Sequence, residues 1–171
     1  MMLAAFESIA VALRDAQIRY LVAGGLAVNA HGYLRLTQDV DLVIQLGRQN
    51  IRSCFGALAN LGYRPLVPVT GEQFADPEQR ARWIRDKGMT VLNLYSDRYR
   101  PVTVDIFVTE PFDFDREYDA ALIGELSPGL FVRFVSIATL IAMKQLANRP
   151  RDLDDIEHLA MIQQERQRNG S

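Results

Sequence analysis

Residues 20–44, YLVAGGLAVNAHGYLRLTQDVDLVI, constrain the fold more than any other stretch of the chain. An apolar run breaks at Gly24-Gly25, continues through a short helical pattern over 26–31, and stops at Gly32. The next apolar run alternates: Val40, Leu42 and Ile44 share one face of a strand, leaving Asp39, Asp41 and Val43 on the other. Paired glycines at a helix mouth, followed by two carboxylates on one strand face, are the parts needed to hold a metal-bound triphosphate.

Around this segment the periodicity predicts helices over 3–16, 48–61, 136–147 and 151–167. The stripe Ile51, Phe55, Leu58 and Ala59 is expected to be buried in the second of these, and Leu153, Ile156, Leu159 and Ala160 in the last. Strands are expected over 18–23, 39–45 and 131–135, with 89–95 and 101–108 as an antiparallel pair joined by the turn SDRYR. Residues 66–88 carry only a weak pattern. Helices and strands mix without a βαβ rhythm, so the expected class is α+β, a small mixed sheet flanked by helices. A single domain is expected over 1–171, with a catalytic core to about residue 110 and a helical part beyond.

No apolar run approaches the roughly 18 residues of a membrane-spanning helix, and residues 1–16 lack the basic start of a signal peptide. Cys54 is the only cysteine, so no intrachain disulfide is possible and a reducing cytoplasm is the expected compartment. The net charge of -2 argues against a uniformly basic nucleic-acid-binding surface. Arg80, Arg82, Arg85 and Lys87, then Arg98 and Arg100, are local clusters, read first as a solvated face and second as a basic rim.

Carboxylates at positions i and i+2 of a strand point the same way, about 7 Å apart. A divalent ion relieves their repulsion, and Mg²⁺ favours one or two protein carboxylates plus substrate phosphates. Asp39 and Asp41 are therefore candidate ligands. Asp105, opposite the apolar face Val102-Val104-Ile106-Val108, is a candidate third. The spacing alone says little, since Asp113-x-Asp115 and Asp152-x-Asp154 share it; position after the glycine turn sets the first pair apart. Gly24-Gly25 lets phosphate approach unpaired N–H groups, but it is neither the dinucleotide fingerprint nor a P-loop.

Ala23-Gly24-Gly25, Asp39-Val40-Asp41 and Val104-Asp105-Ile106 together resemble the nucleotidyltransferase superfamily of the polymerase β type. YLRLTQDVDLVI, with Arg35 and Thr37 ahead of the carboxylates, looks most like the AbiEii-type and related bacterial nucleotidyltransferases. Lys144, followed by Arg151, Asp152 and Asp155 opening the next helix, extends the resemblance to residues 18–160. It implies transfer of a nucleoside monophosphate from an NTP, such as ATP, to an acceptor hydroxyl or phosphate. Asp39, Asp41 and Asp105 would hold Mg²⁺ or Mn²⁺, Asp105 alternatively serving as base. Gly24, Gly25, Arg35, Thr37, Lys144, Asp152 and Asp155 would attend the nucleotide. The acceptor is left open between RNA or tRNA, a protein and a small molecule, with an antitoxin or a second copy as possible partners. The alternative is a non-catalytic nucleotide-binding member of the same fold.

For individual residues a plainer reading stands beside each of these. Carboxylates can guard a strand edge, Lys144 can snorkel to solvent, and Asp152, Asp154 and Asp155 suit any helix's first turn. His31, His158, Cys54 and Trp83 are expected to be structural.

Overall fold

The alternation over 39–45 is realised in strand β2 (Asp39–Ile44), the middle strand of a seven-stranded sheet. The computed structural model describes residues 2–170. Helix α1 (Met2–Asp15) leads to β1 (Tyr20–Ala23), α2 (Gly24–His31) and β2, and α3 (Arg48–Asn60) follows. β3 (Arg64–Pro65), α4 (Gly71–Ala75) and α5 (Pro77–Lys87) precede β4 (Val91–Tyr95) and β5 (Thr103–Phe107). The chain then runs through α6 (Phe114–Ala120), β6 (Leu122–Ser127), β7 (Leu130–Phe134), α7 (Ile137–Ala147) and α8 (Pro150–Arg168). The mixed sheet flanked by helices is the architecture expected from the sequence.

The strand order is β3-β4-β5-β2-β1-β7-β6. β2 runs antiparallel to β1 and parallel to β5, with Asp39 opposite Thr103 and Asp41 opposite Asp105. β4 and β5 pair antiparallel as expected, setting Asn93 opposite Asp105. Val40, Leu42, Leu92, Leu94, Val104 and Ile106 are buried on one face of these strands, in one cluster with Phe6, Ile9 and Leu13 of α1 and Ile51 and Leu58 of α3. The opposite face of β2, β5 and β4 carries Asp39, Asp41, Thr103, Asp105, Asn93 and Tyr95, each only half-buried.

Several expectations are corrected. In α3 the buried stripe is Ile51, Cys54, Ala57 and Leu58, with Phe55 half-buried and Ala59 exposed. In α8 Leu153 faces solvent, and Asp152, Asp155 and Leu159 face inward. The part beyond residue 110 is not wholly helical, because β6 and β7 form an antiparallel edge hairpin that joins the sheet through Val22 and Phe134.

The weakly patterned stretch 66–88 holds two short helices with strong start signals. Thr70 and Gln73 form a reciprocal capping box on α4, and Asp76 caps α5 just ahead of Pro77. Phe74 anchors them, its ring 5.1 Å from Phe55 and 6.3 Å from Trp83. Arg80 is no part of a solvated face; it is buried and donates to the Phe74 carbonyl. Trp83 is packed, and Cys54 is buried with its thiol pushed up to about 12 by burial, which makes it inert. Among the described residues no helix is long and apolar enough to cross a membrane.

Candidate active site

The turn from β1 into α2 needs glycine for two reasons. Gly24 has φ +62°, and a Cβ there would stand 1.9 Å from Asp41 Oδ2. A Cβ on Gly25 would stand 2.6 Å from Thr37 Oγ1 and 3.2 Å from an Arg35 guanidinium nitrogen. The missing side chains let the carboxylate of Asp41 lie directly against the helix entrance. No side chain caps that entrance, so its first N–H groups are available to an anion. Gly24, Gly25, Arg35, Thr37 and Asp41 are thus brought together.

Asp39, Asp41 and Asp105 share one face of neighbouring strands about 4.8 Å apart. Burial raises Asp41 to about 7, and the charges of Asp105 and Asp39 push the same way, against Lys144 and Arg149. Burial also raises Asp105, with Asp39 adding to it and a hydrogen bond from Asn93 opposing it. The carboxylates are not gathered on a common point. Thr103 Oγ1 donates to Asp39 at 2.6 Å, and Asn93 Nδ2 donates to Asp105 at 2.6 Å. Among the described residues no group of three His, Cys, Asp or Glu side chains is arranged to hold a metal ion. The donors nevertheless suit a hard cation: they are oxygens only, they lie on one face, and the glycine cradle keeps Asp41 open toward the helix entrance.

Lys144, Asp152 and Asp155 do not open toward the glycine turn as separate contacts. Lys144 is buried, with Nζ 2.8 Å from Asp155 and 3.3 Å from Asp152. Asp155 also receives both arms of Arg35, at 2.7 and 2.8 Å. Asp152 accepts from the Arg149 backbone at 3.0 Å and its guanidinium at 2.7 Å, closing the start of α8. Arg35 is therefore pinned under Gly25 by a buried carboxylate on another helix. Tyr33 reinforces this seam, donating to Asp154 at 2.7 Å and stacking on His158 at 3.9 Å. His31 is structural, its Nε2 donating to the Val135 carbonyl at 2.8 Å.

Asn93, Thr103 and Arg149 are given no role by the sequence. Strand alternation does place Thr103 on the Asp105 face, two positions before it. Asn93 depends on the register of β4 against β5, and Arg149 on how α7 meets α8; no local pattern announces either.

The family model for the nucleotidyl transferase AbiEii toxin, type IV toxin-antitoxin system, matches residues 11–169. The chain belongs to this AbiEii nucleotidyltransferase family. Comparison with curated protein sequences gives no match. Among solved structures, the crystal structure of ANT(2'')-Ia in complex with adenylyl-2''-tobramycin is similar, with TM-score 0.56 and 12% identity over 99% of this chain and 98% of that one. The solution structure of ANT(2'')-Ia gives TM-score 0.54 and 14% identity over 98% and 93%. An antigenic nucleotidyltransferase-like protein from Paracoccidioides brasiliensis gives 0.51 and 17% over 92% and 75%. At these identities the likeness is one of fold, which is that of the nucleotidyltransferases.

Two predictions follow from the charges. The folded protein holds the Asp41 proton more tightly than the unfolded chain does, so metal-free stability falls as pH rises from about 4 toward about 7. Asp41→Asn should therefore be more stable than wild type at pH 8 and similar near pH 4 in urea titrations without metal; equal stability at pH 8 would remove the charge argument. Asp155 behaves oppositely. Burial alone would raise it, but Arg35 and Lys144 outweigh that and hold it below the usual carboxylate range. Its stabilisation is present in full above about pH 4 and is lost as pH falls through the folded value. Asp155→Asn takes the carboxylate from Arg35 and leaves Lys144 with Asp152 alone, and should cost about 3–5 kcal/mol at pH 7, the deficit narrowing below pH 4 in the same titrations.

Proposed function

We propose that this AbiEii-family chain transfers a nucleoside monophosphate from an NTP to an acceptor, and that the row formed by Gly24, Asp41 and Asp105 does so. The observation that carries the reading is the contact of Asp41 with the bare Cα of Gly24, which sets a carboxylate beside an uncapped helix start. Anionic phosphates and a carboxylate can share that space only with a cation between them. Asp39 and Asp41 would hold Mg²⁺ or Mn²⁺, which when bound supplies charge neutralisation for the phosphates and the departing pyrophosphate.

The chain's own residues do the rest. The first N–H groups of α2 bind the phosphate oxygens, and Thr37, seated against Gly25, lines the same turn. Lys144 and Arg149 lend positive potential, since both already act on Asp41 across the site. Lys144 does so from within its ion pairs, as a fixed part of the framework rather than a mobile phosphate clamp. Asp105, its proton affinity raised by burial, takes the proton from the acceptor hydroxyl. The acceptor oxygen bonds to the α-phosphorus, the bond to the β-phosphate oxygen breaks, and pyrophosphate leaves.

ATP or another NTP is the donor, and the acceptor is an RNA such as tRNA, a protein or a small molecule. Action as a toxin restrained by an antitoxin, in a reducing cytoplasm, and completion of the cleft by a second copy belong to the same proposal. The test is incubation of the protein and Mg²⁺ with each labelled NTP and total RNA, tRNA, protein extract or aminoglycosides. Label should enter one acceptor class, and Asp41→Asn should reduce incorporation by about 10³-fold or more. NTP binding without incorporation anywhere would favour the non-catalytic reading, and no NTP binding at millimolar Mg²⁺ would overturn both.

A further inference from the structure

The two edges of the seven-stranded sheet are built differently. At one edge β3 is two residues long and ends in Pro65, which has no N–H to offer, and Arg64 adds a charge. At the other edge β6 runs for six residues, Leu122–Ser127, without proline, lysine or arginine. Its single charge, Glu125, folds back to accept from the Gly129 N–H at 2.9 Å. Among the described residues β6 pairs with β7 alone. The backbone groups on its far side are therefore open along the strand until a bulge between Glu125 and Ser127 bends it.

Both faces of this edge carry apolar surface. The register sets Ile123 opposite Arg133 and Glu125 opposite Phe131, so these four share one face, with Ile123 and Phe131 as diagonal neighbours. Those two side chains are 55% and 59% exposed. On the other face Leu130, Val132 and Phe134 of β7 are buried, whereas Leu122 and Leu126 of β6 are covered only in part. The Phe134 ring fills the space over Gly124, where an added Cβ would stand 3.0 Å from its Cε2. The core thus runs out at β6 with apolar surface above and below an unpaired backbone. Such an edge is completed by adding a strand.

We propose that the added strand is β6 of a second copy of this chain, paired antiparallel across a two-fold axis at Gly124. A two-fold register that keeps like faces together is centred on a residue. Centred on Glu125, it sets like charges directly opposite, which destabilises the pair. Centred on Ile123, it runs into Ala120, the last residue of α6. Centred on Gly124, it sets Leu122 against Leu126 of the second copy and Ile123 against Glu125 of the second copy. Each row across the junction then holds Arg133 from one copy and Glu125 from the other. The charges are complementary, and one identical partner satisfies both rows, as an isologous contact requires. This inference goes beyond the transferase reading and does not rest on it. It is also a different contact from one that completes the cleft, because β1 and β7 stand between β6 and β2.

The test is sedimentation equilibrium of the full chain from about 1 μM to about 1 mM, with amide hydrogen exchange read at both ends of the range. The mass is expected to rise toward twice 19.3 kDa, with a Kd of about 10–100 μM, as suits a contact smaller than a standard interface. Exchange at residues 122–126 should slow as the dimer forms. Ile123→Glu sets an acid against Glu125 of the second copy and should weaken association about ten-fold or more. Ile123→Lys sets a base there and should leave association within about three-fold of wild type or tighten it. Ile123→Glu combined with Glu125→Lys should restore what Ile123→Glu loses. Position 123 is exposed, and far-UV circular dichroism checks that each variant is folded. A mass of 19.3 kDa at the highest concentration overturns the proposal. So does equal weakening by Ile123→Glu and Ile123→Lys, or a dimer that leaves exchange at 122–126 unchanged.

Discussion

Everything in this molecule turns on three carboxylates kept on one face of adjacent strands. Asp39, Asp41 and Asp105 lie within one another's field, and burial adds to the difficulty of ionising Asp41 and Asp105. Such an arrangement costs stability, and folding does nothing to disperse it. Thr103 and Asn93 satisfy one oxygen each of Asp39 and Asp105, while Asp41 is left facing the glycine turn. A sheet under no functional demand would place threonine or valine at these positions. The strain is consistent with a site whose charge balance is completed by a ligand.

The C-terminal helices meet this face through a second group of charges, and here the balance closes internally. Lys144 and Arg35 share Asp155, while Asp152 joins Lys144 to Arg149. Asp152 and Asp155 are fully buried and fully partnered, which is what an ion cluster needs to hold at all. The cluster ties α7 and α8 to the loop that carries Thr37. It also keeps Lys144 and Arg149 close enough to act on Asp41. One end of the chain supplies the excess of negative charge, and the other supplies a rigid source of positive potential.

The sheet was legible because its strands alternate cleanly: β2 and β5 each place aliphatic residues on one face and carboxylates on the other. Gly24 and Gly25 were legible for the same local reason, a break that only glycine suits. Residues 66–88 were obscure because α4 and α5 are too short to show a period, though the Thr70–Gln73 box and the Asp76-Pro77 start were there to be read. The face of α8 was misjudged because hydrophobicity was taken as the sign of burial. Asp152 and Asp155 point inward, and Leu153 points out, because partners on α7 and the Arg35 loop make burial of charge tolerable. Such partners lie 120 positions away in the case of Arg35, beyond any local pattern. The pairing of Asn93 with Asp105 was hidden likewise, in a strand register that sequence spacing does not set.

The most direct test of the central claim is a crystal structure with Mn²⁺ and a non-hydrolysable NTP, with the metal located by its anomalous signal. The account predicts a peak within coordination distance of Asp39 and Asp41, with the triphosphate against the Gly24-Gly25 turn and Asp105 on the far side of the α-phosphorus. A metal and nucleotide bound elsewhere, or an NTP seated on the sheet with no cation between it and these carboxylates, would contradict it.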